Sequence, residues 1–159
     1  MKKIGLSIFL ILCSTNIFSS PEKQLYVTIK GENVCVYTKD LKAKPFENKM
    51  YLYMGDVTPS KNFKSTYSKL FNNMKVPVDK VDCIPISSTQ FKNNTPYDIV
   101  LDMDQSYSIR ICVEKRTDKV VLRNVVNGFT CSTSEISEAI EKEQTIFKRI
   151  LNWFVALFL

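Results

Sequence analysis

The chain has 159 residues, a formal charge of +6, 45% hydrophobic residues, five cysteines and no histidine. Without histidine it cannot build a Ser-His-Asp triad, a Cys-His pair, a His-ligated zinc site or a histidine general base, which excludes most hydrolase designs. The basic excess is mild and spread among acids, which argues against nucleic acid as a partner.

Lys2 and Lys3 form a basic start, Ile4 to Leu12 is a nearly unbroken apolar run, and Ser14, Ser19 and Ser20 supply small residues. That is the pattern of a signal peptide over residues 1–19, so the mature chain is expected to leave the cytosol, soluble or membrane-anchored. Removing Lys2 and Lys3 lowers the charge to +4 and leaves residues 20–159 as a single domain large enough to bury a core. Cys13 lies inside the leader. It is either discarded or is the lipidation site of a lipoprotein, although Leu12 stands where a lipobox requires a small residue. Cys35, Cys83, Cys112 and Cys131 remain, an even set without Cys-x-x-Cys spacing, and are disulfide candidates.

Leu25 to Lys30 alternates apolar and polar residues, Gly31-Glu32-Asn33 supplies a turn, and Val34 to Thr38 returns, so residues 25–38 predict a β-hairpin. Met50 to Met54 is a third apolar and aromatic run closed by Gly55-Asp56. Between Ser60 and Met74 the residues Phe63, Tyr67, Leu70, Phe71 and Met74 recur at helical spacing, which predicts a short helix; a strand using Phe63, Ser65 and Tyr67 fits fewer positions. Val76-Pro77-Val78 breaks that element, and Val81 to Ile86 reads as a short strand carrying Cys83 and limited by Pro85.

Pro96 to Asp102 and Ser106 to Val113 are the clearest strands, and the alternation of the second turns Cys112 away from its apolar face. Val120 to Val126 is the last strong strand, ended by Asn127-Gly128. Cys131 follows closely enough to bridge back to Cys112, which would leave Cys35 with Cys83; the other two pairings remain open. Ser132-Thr133-Ser134-Glu135 has the form of a capping box, and Ile136, Ile140, Phe147, Ile150, Leu151, Phe154 and Phe158 predict an amphipathic helix over about 134–158. Its Ile140, Phe147, Leu151 and Phe154 are expected to dock on an exposed sheet face, as a lone sheet needs covering, whereas Trp153 and Phe158, with Lys148 and Arg149 nearby, also suit a membrane interface.

Two clusters invite chemical readings. Asp98, Asp102 and Asp104 gather at a strand end but lack the glycine and distal glutamate of a calcium loop, so solvated aspartates are expected. Lys61, Lys64, Lys69, Lys75 and Lys80 interleave with Phe63, Tyr67 and Phe71, which in an exported chain reads as a solvated face rather than a nucleic-acid platform. No residue set argues for catalysis, a metal or a cofactor.

Asn33-Val34-Cys35-Val36-Tyr37, Asp82-Cys83-Ile84, Asn94-Thr95-Pro96-Tyr97-Asp98-Ile99 and Tyr107-Ser108-Ile109-Arg110-Ile111-Cys112-Val113 follow one another in an order that resembles a family of small periplasmic proteins, many of them lipoproteins, proposed as immunity proteins of type VI secretion systems. The resemblance covers roughly residues 25–113 and implies a β-rich domain whose partner is a toxin protein that it binds and neutralises. It does not identify toxin-binding residues.

The expected architecture is mainly β: a small antiparallel β-sandwich-like domain with a C-terminal amphipathic α-helix. The expected function is non-enzymatic protein binding, without cofactor or nucleic acid. The alternative is a cell-envelope structural or membrane-associated protein that attaches through its apolar C-terminal helix, with Cys13 lipid as a second route to the membrane.

Overall fold

The computed structural model describes residues 22–59 and 63–136. The expected leader, Cys13 and the helix beyond Ile136 lie outside these residues.

Among the described residues ten strands form two sheets: β1 (Lys23–Gln24), β2 (Tyr26–Lys30), β3 (Asn33–Tyr37), β4 (Lys49–Asp56), β5 (Tyr67–Asn72), β6 (Ile84–Ser87), β7 (Thr95–Asp102), β8 (Ser106–Lys115), β9 (Val120–Val126) and β10 (Thr130–Glu135). The larger sheet runs β10-β9-β8-β7-β4-β5, with β1 added in parallel to β8; the smaller runs β2-β3-β6. Apart from β1 every pairing is antiparallel. The fold is therefore mainly β, built from antiparallel sheets.

Alternation explains the core. Met50, Leu52 and Met54 of β4 point inward, as do Ile99 and Leu101 of β7 and Ile111 and Val113 of β8. They share one cluster with Val34 and Val36 of β3 and Ile84 and Ile86 of β6, so the two sheets close over a common interior. The turn joining β2 to β3 places Gly31 at φ 63°, a left-handed value that glycine adopts without a Cβ penalty. Asn127 and Gly128, at φ 51° and 75°, make the tight connection from β9 to β10.

Two sequence expectations are corrected. The predicted helix between Ser60 and Met74 is instead β5, paired with β4 from Met54↔Tyr67 to Lys49↔Asn72. A short isolated helix is costly to nucleate, whereas pairing with β4 gives partners to the backbone groups of β5 that face it and still packs Tyr67 and Phe71 against the core. The capping box is the second correction. Ser132 to Glu135 belongs to β10, irregularly paired to β9 through Cys131↔Val125 and Glu135↔Arg123. The Arg123 guanidinium donates to the Ser132 and Thr133 carbonyls and pairs with Glu114, which holds this stretch extended. The strand expected from Val81 starts at Ile84, because Asp79 accepts the Val81 and Asp82 amides and makes a turn there. Pro85 sits within β6, an edge strand of the smaller sheet, where a missing N–H is tolerated.

Disulfides join Cys35 to Cys83 and Cys112 to Cys131, with Cα–Cα distances of 5.5 and 5.7 Å. Cys112 does point away from the core face of β8, yet it is wholly buried, because β10 folds over it. Such bonds suit an oxidising compartment.

A polar tie fixes β1 to the body. The buried Tyr107 hydroxyl donates to Asp40 at 2.9 Å, the Lys23 ammonium lies 2.7 Å from the same carboxylate, and the Lys42 amide donates to it at 2.9 Å. Lys23, then the Lys42 amide and Tyr107, hold the Asp40 carboxyl down at about 2, against an ordinary 3.8. A lowered carboxyl stabilises the fold fully above the unfolded value and loses that contribution as pH falls towards the folded one. The urea midpoint of the wild type should exceed that of Asp40→Asn at pH 6, and the gap should narrow as pH falls from about 4 to about 2. An equal gap at both ends of that range would remove Asp40 from the acid sensitivity.

Candidate functional site

Strand β4 has two unlike faces. While its methionines and Leu52 enter the core, Tyr51, Tyr53 and Gly55 alternate onto the outer face of the larger sheet. The register sets Tyr51 opposite Leu70 and Tyr53 opposite Ser68 on one side, with Asp102, Val100 and Asp98 of β7 on the other. After β4 the chain doubles back, with the Thr66 amide and Ser65 hydroxyl donating to the Met54 carbonyl at 2.8 and 3.3 Å. This return crosses directly above Gly55. A Cβ there would lie 2.4 Å from the Lys64 carbonyl oxygen and 2.8 Å from the Phe63 ring.

The crossing delivers Phe63 edge-on to Tyr53 at 6.0 Å, and Tyr53 meets Tyr51 at 5.4 Å. The product is an aromatic and aliphatic face that stays open to solvent: Tyr51 is 42%, Phe63 49% and Leu70 51% exposed. Tyr53 is half-buried beneath it, and desolvation, then Asp102, push its hydroxyl up to about 12, so it remains a neutral donor at any physiological pH. Exposed Lys64 follows Phe63 in the crossing, whereas Lys69, opposite Leu52 in the register, lies on the other face of β5 with its ammonium 5.1 Å from the Phe71 ring centroid. Large, rigid aromatics that stay partly uncovered are the residue class that anchors protein interfaces.

A cleft of about 1090 Å³ runs from this face to the edge of the smaller sheet. Its walls include Tyr26 to Ile29 of β2, Ser108 to Ile111 of β8 and Val120 to Leu122 of β9. It coincides with a gap in the larger sheet: β1 pairs with β8 only at Tyr107 and Ser108, while the pairing of β8 with β9 starts at Cys112. Arg110 braces the gap through a bidentate pair with Asp98, at 2.6 and 2.7 Å, and a bond to the Gly128 carbonyl at 2.9 Å.

The sequence clusters resolve into structural partners. Asp98 is held by Arg110, Asp102 accepts from the Ser106 hydroxyl at 2.5 Å, and Asp104 accepts the Lys44 amide at 3.4 Å. Among the described residues no group of three or more metal-ligating side chains comes together. Of the lysine series, Lys75 pairs with Asp82 at 2.5 Å and Lys80 lines the cleft, while Lys61 lies outside the described residues. The aromatic face was missed because Phe63 was read with the helical pattern and Tyr51 and Tyr53 only as part of an apolar run. The period-two split of Met50, Leu52 and Met54 from Tyr51 and Tyr53 is the signal that could have found it.

The model of a family described as a domain of unknown function, DUF7480, matches residues 22–134, from the first described residue to the last strand. No curated protein and no solved structure matches the chain.

Proposed function

The chain belongs to the DUF7480 family, and we propose that it is an exported, non-enzymatic binding protein, a periplasmic immunity protein that binds and neutralises a toxin delivered through type VI secretion. The observation that supports the reading is the open face of Tyr51, Phe63 and Leu70 over half-buried Tyr53. Neutralising a toxin by occlusion requires shape and charge complementarity around buried anchors and no catalytic group. The face has that composition, with exposed Lys64 next to Phe63. Two disulfides bracing a β domain fit the oxidising periplasm.

The test pairs this chain with the product of the adjacent gene. Directed to the periplasm, that product should arrest growth, and co-expression of this chain should restore it. Tyr51→Ala and Phe63→Ala should each weaken the complex about tenfold, the ordinary loss for an interface anchor, while thermal unfolding of the unbound variants shifts little. Growth arrest without rescue at normal expression would overturn the immunity reading, and rescue with undiminished affinity in both variants would move the interface elsewhere.

A further inference from the structure

The cleft leaves part of the interior uncovered. Val27 and Ile29 of β2, Ile109 of β8 and Val120 of β9 pack against the core but remain only half-buried, and all four line the cleft. Burying the remaining apolar surface of these four side chains is favourable, which favours a cover.

The chain itself leads to that place. The Ile136 amide donates to the Leu122 carbonyl at 2.8 Å, and its side chain packs on the core and lines the cleft. Residues 137–159 continue the chain from this point, and Ile140, Phe147, Leu151 and Phe154 recur in that sequence at the spacing expected of an apolar stripe. A segment tethered at the mouth of a groove has an effective local concentration in the millimolar range for a short linker, which favours it over any dilute competitor.

We propose that residues 137–159 are the occupant of this cleft, laying their apolar residues on Val27, Ile29, Ile109 and Val120. The cleft is then closed by the chain's own C-terminal segment. A partner is left the outer face around Tyr51 and Leu70. This inference does not depend on what that partner is.

Trp153 is the single tryptophan of the chain and lies within the proposed cover, so its fluorescence reports directly. In the oxidised full-length protein, acrylamide should quench Trp153 at least threefold less than in guanidinium. Val120→Asp, in the cleft, should raise quenching towards the unfolded value, whereas Val126→Asp, outside it, should not. If Val120→Asp fails to fold, Leu151→Asp in the cover serves instead, and should increase binding of an apolar dye while both disulfides persist. Quenching already at the unfolded level in the wild type, or unchanged by both Val120→Asp and Leu151→Asp, would overturn the proposal. So would shielding that depends on protein concentration, which assigns the cover to a second copy, or that arises only with vesicles of anionic phospholipid, which assigns it to a membrane.

Discussion

Replacing Cys35 with serine should lower the unfolding free energy by about 4 kcal/mol, measured as a shift of the urea midpoint under oxidising conditions. The bond to Cys83 spans 48 residues, and the loss of unfolded-chain entropy on closing a loop of that length corresponds to about 4 kcal/mol in the chain-entropy account. Burial adds to this. Cys35 is fully buried and Cys83 nearly so, in a pocket formed with Tyr37 and Tyr26, so the change leaves a hydroxyl and a thiol in an apolar site. Cys112 and Cys131 are 19 apart in sequence, and their bond contributes about 3 kcal/mol by the same reasoning. It also holds the β9–β10 connection over β8, which the Arg123 contacts with Glu114 and the β10 carbonyls hold independently. Against a typical total of 5–15 kcal/mol, losing both bonds should leave a chain that is marginal at 37 °C. The predicted order is therefore wild type, then Cys112→Ser, then Cys35→Ser, then the fully reduced protein. A midpoint for Cys35→Ser equal to wild type would show that the 48-residue loop is already constrained in the unfolded state.

The strands that sequence makes legible are those whose own residues decide their state. The residues of β2 and β3 alternate around Gly31, and those of β7 to β9 do so up to Asn127-Gly128, so periodicity and turn chemistry agree. Edge strands behave otherwise. The residues of β5 fit a helical stripe as well as a strand, and only the partner strand decides between them, since Met50 and Met54 of β4 lie opposite Phe71 and Tyr67. The same holds for Ser132 to Glu135, whose capping-box form is a local signal overruled by Cys131 and Arg123. The direction of Cys112 could be read, because alternation fixes it; its burial could not, because the covering strand is β10. The aromatic face is less legible still. Tyr51, Phe63 and Leu70 are distant in sequence and meet only through the β4–β5 register and the crossing above Gly55. The cleft arises where, among the described residues, β8 has no strand partner on the side away from β7 between Ser108 and Cys112, and no residue pattern announces a missing partner.

Gly55→Ala is the substitution in which stability and the proposed binding face should fail together. Gly55 does not need its freedom of φ; it is an ordinary strand residue paired with Asp98. What it lacks is volume. An added methyl would stand 2.4 Å from the Lys64 carbonyl oxygen, a distance that real Cβ contacts do not reach, and the obstruction is backbone on one side and the Phe63 ring on the other. The ring can swing away. The carbonyl can move only if residues 63–66 lift off β4, which breaks the Thr66 amide and Ser65 hydroxyl bonds to Met54. Overpacking of this kind costs about 1–3 kcal/mol, and lost hydrogen bonds place the value towards the upper end. The lifted segment carries Phe63 away from Tyr53, so the hydroxyl of Tyr53 should become easier to ionise as its desolvation is relieved, and its titration by ultraviolet absorbance should move down from about 12. Affinity for the partner should fall at least as far as in Phe63→Ala. The combination distinguishes this mechanism from general loosening: a Gly55→Ala protein with a lowered midpoint but an unmoved Tyr53 titration would mean that the strand, and not the crossing above it, had given way.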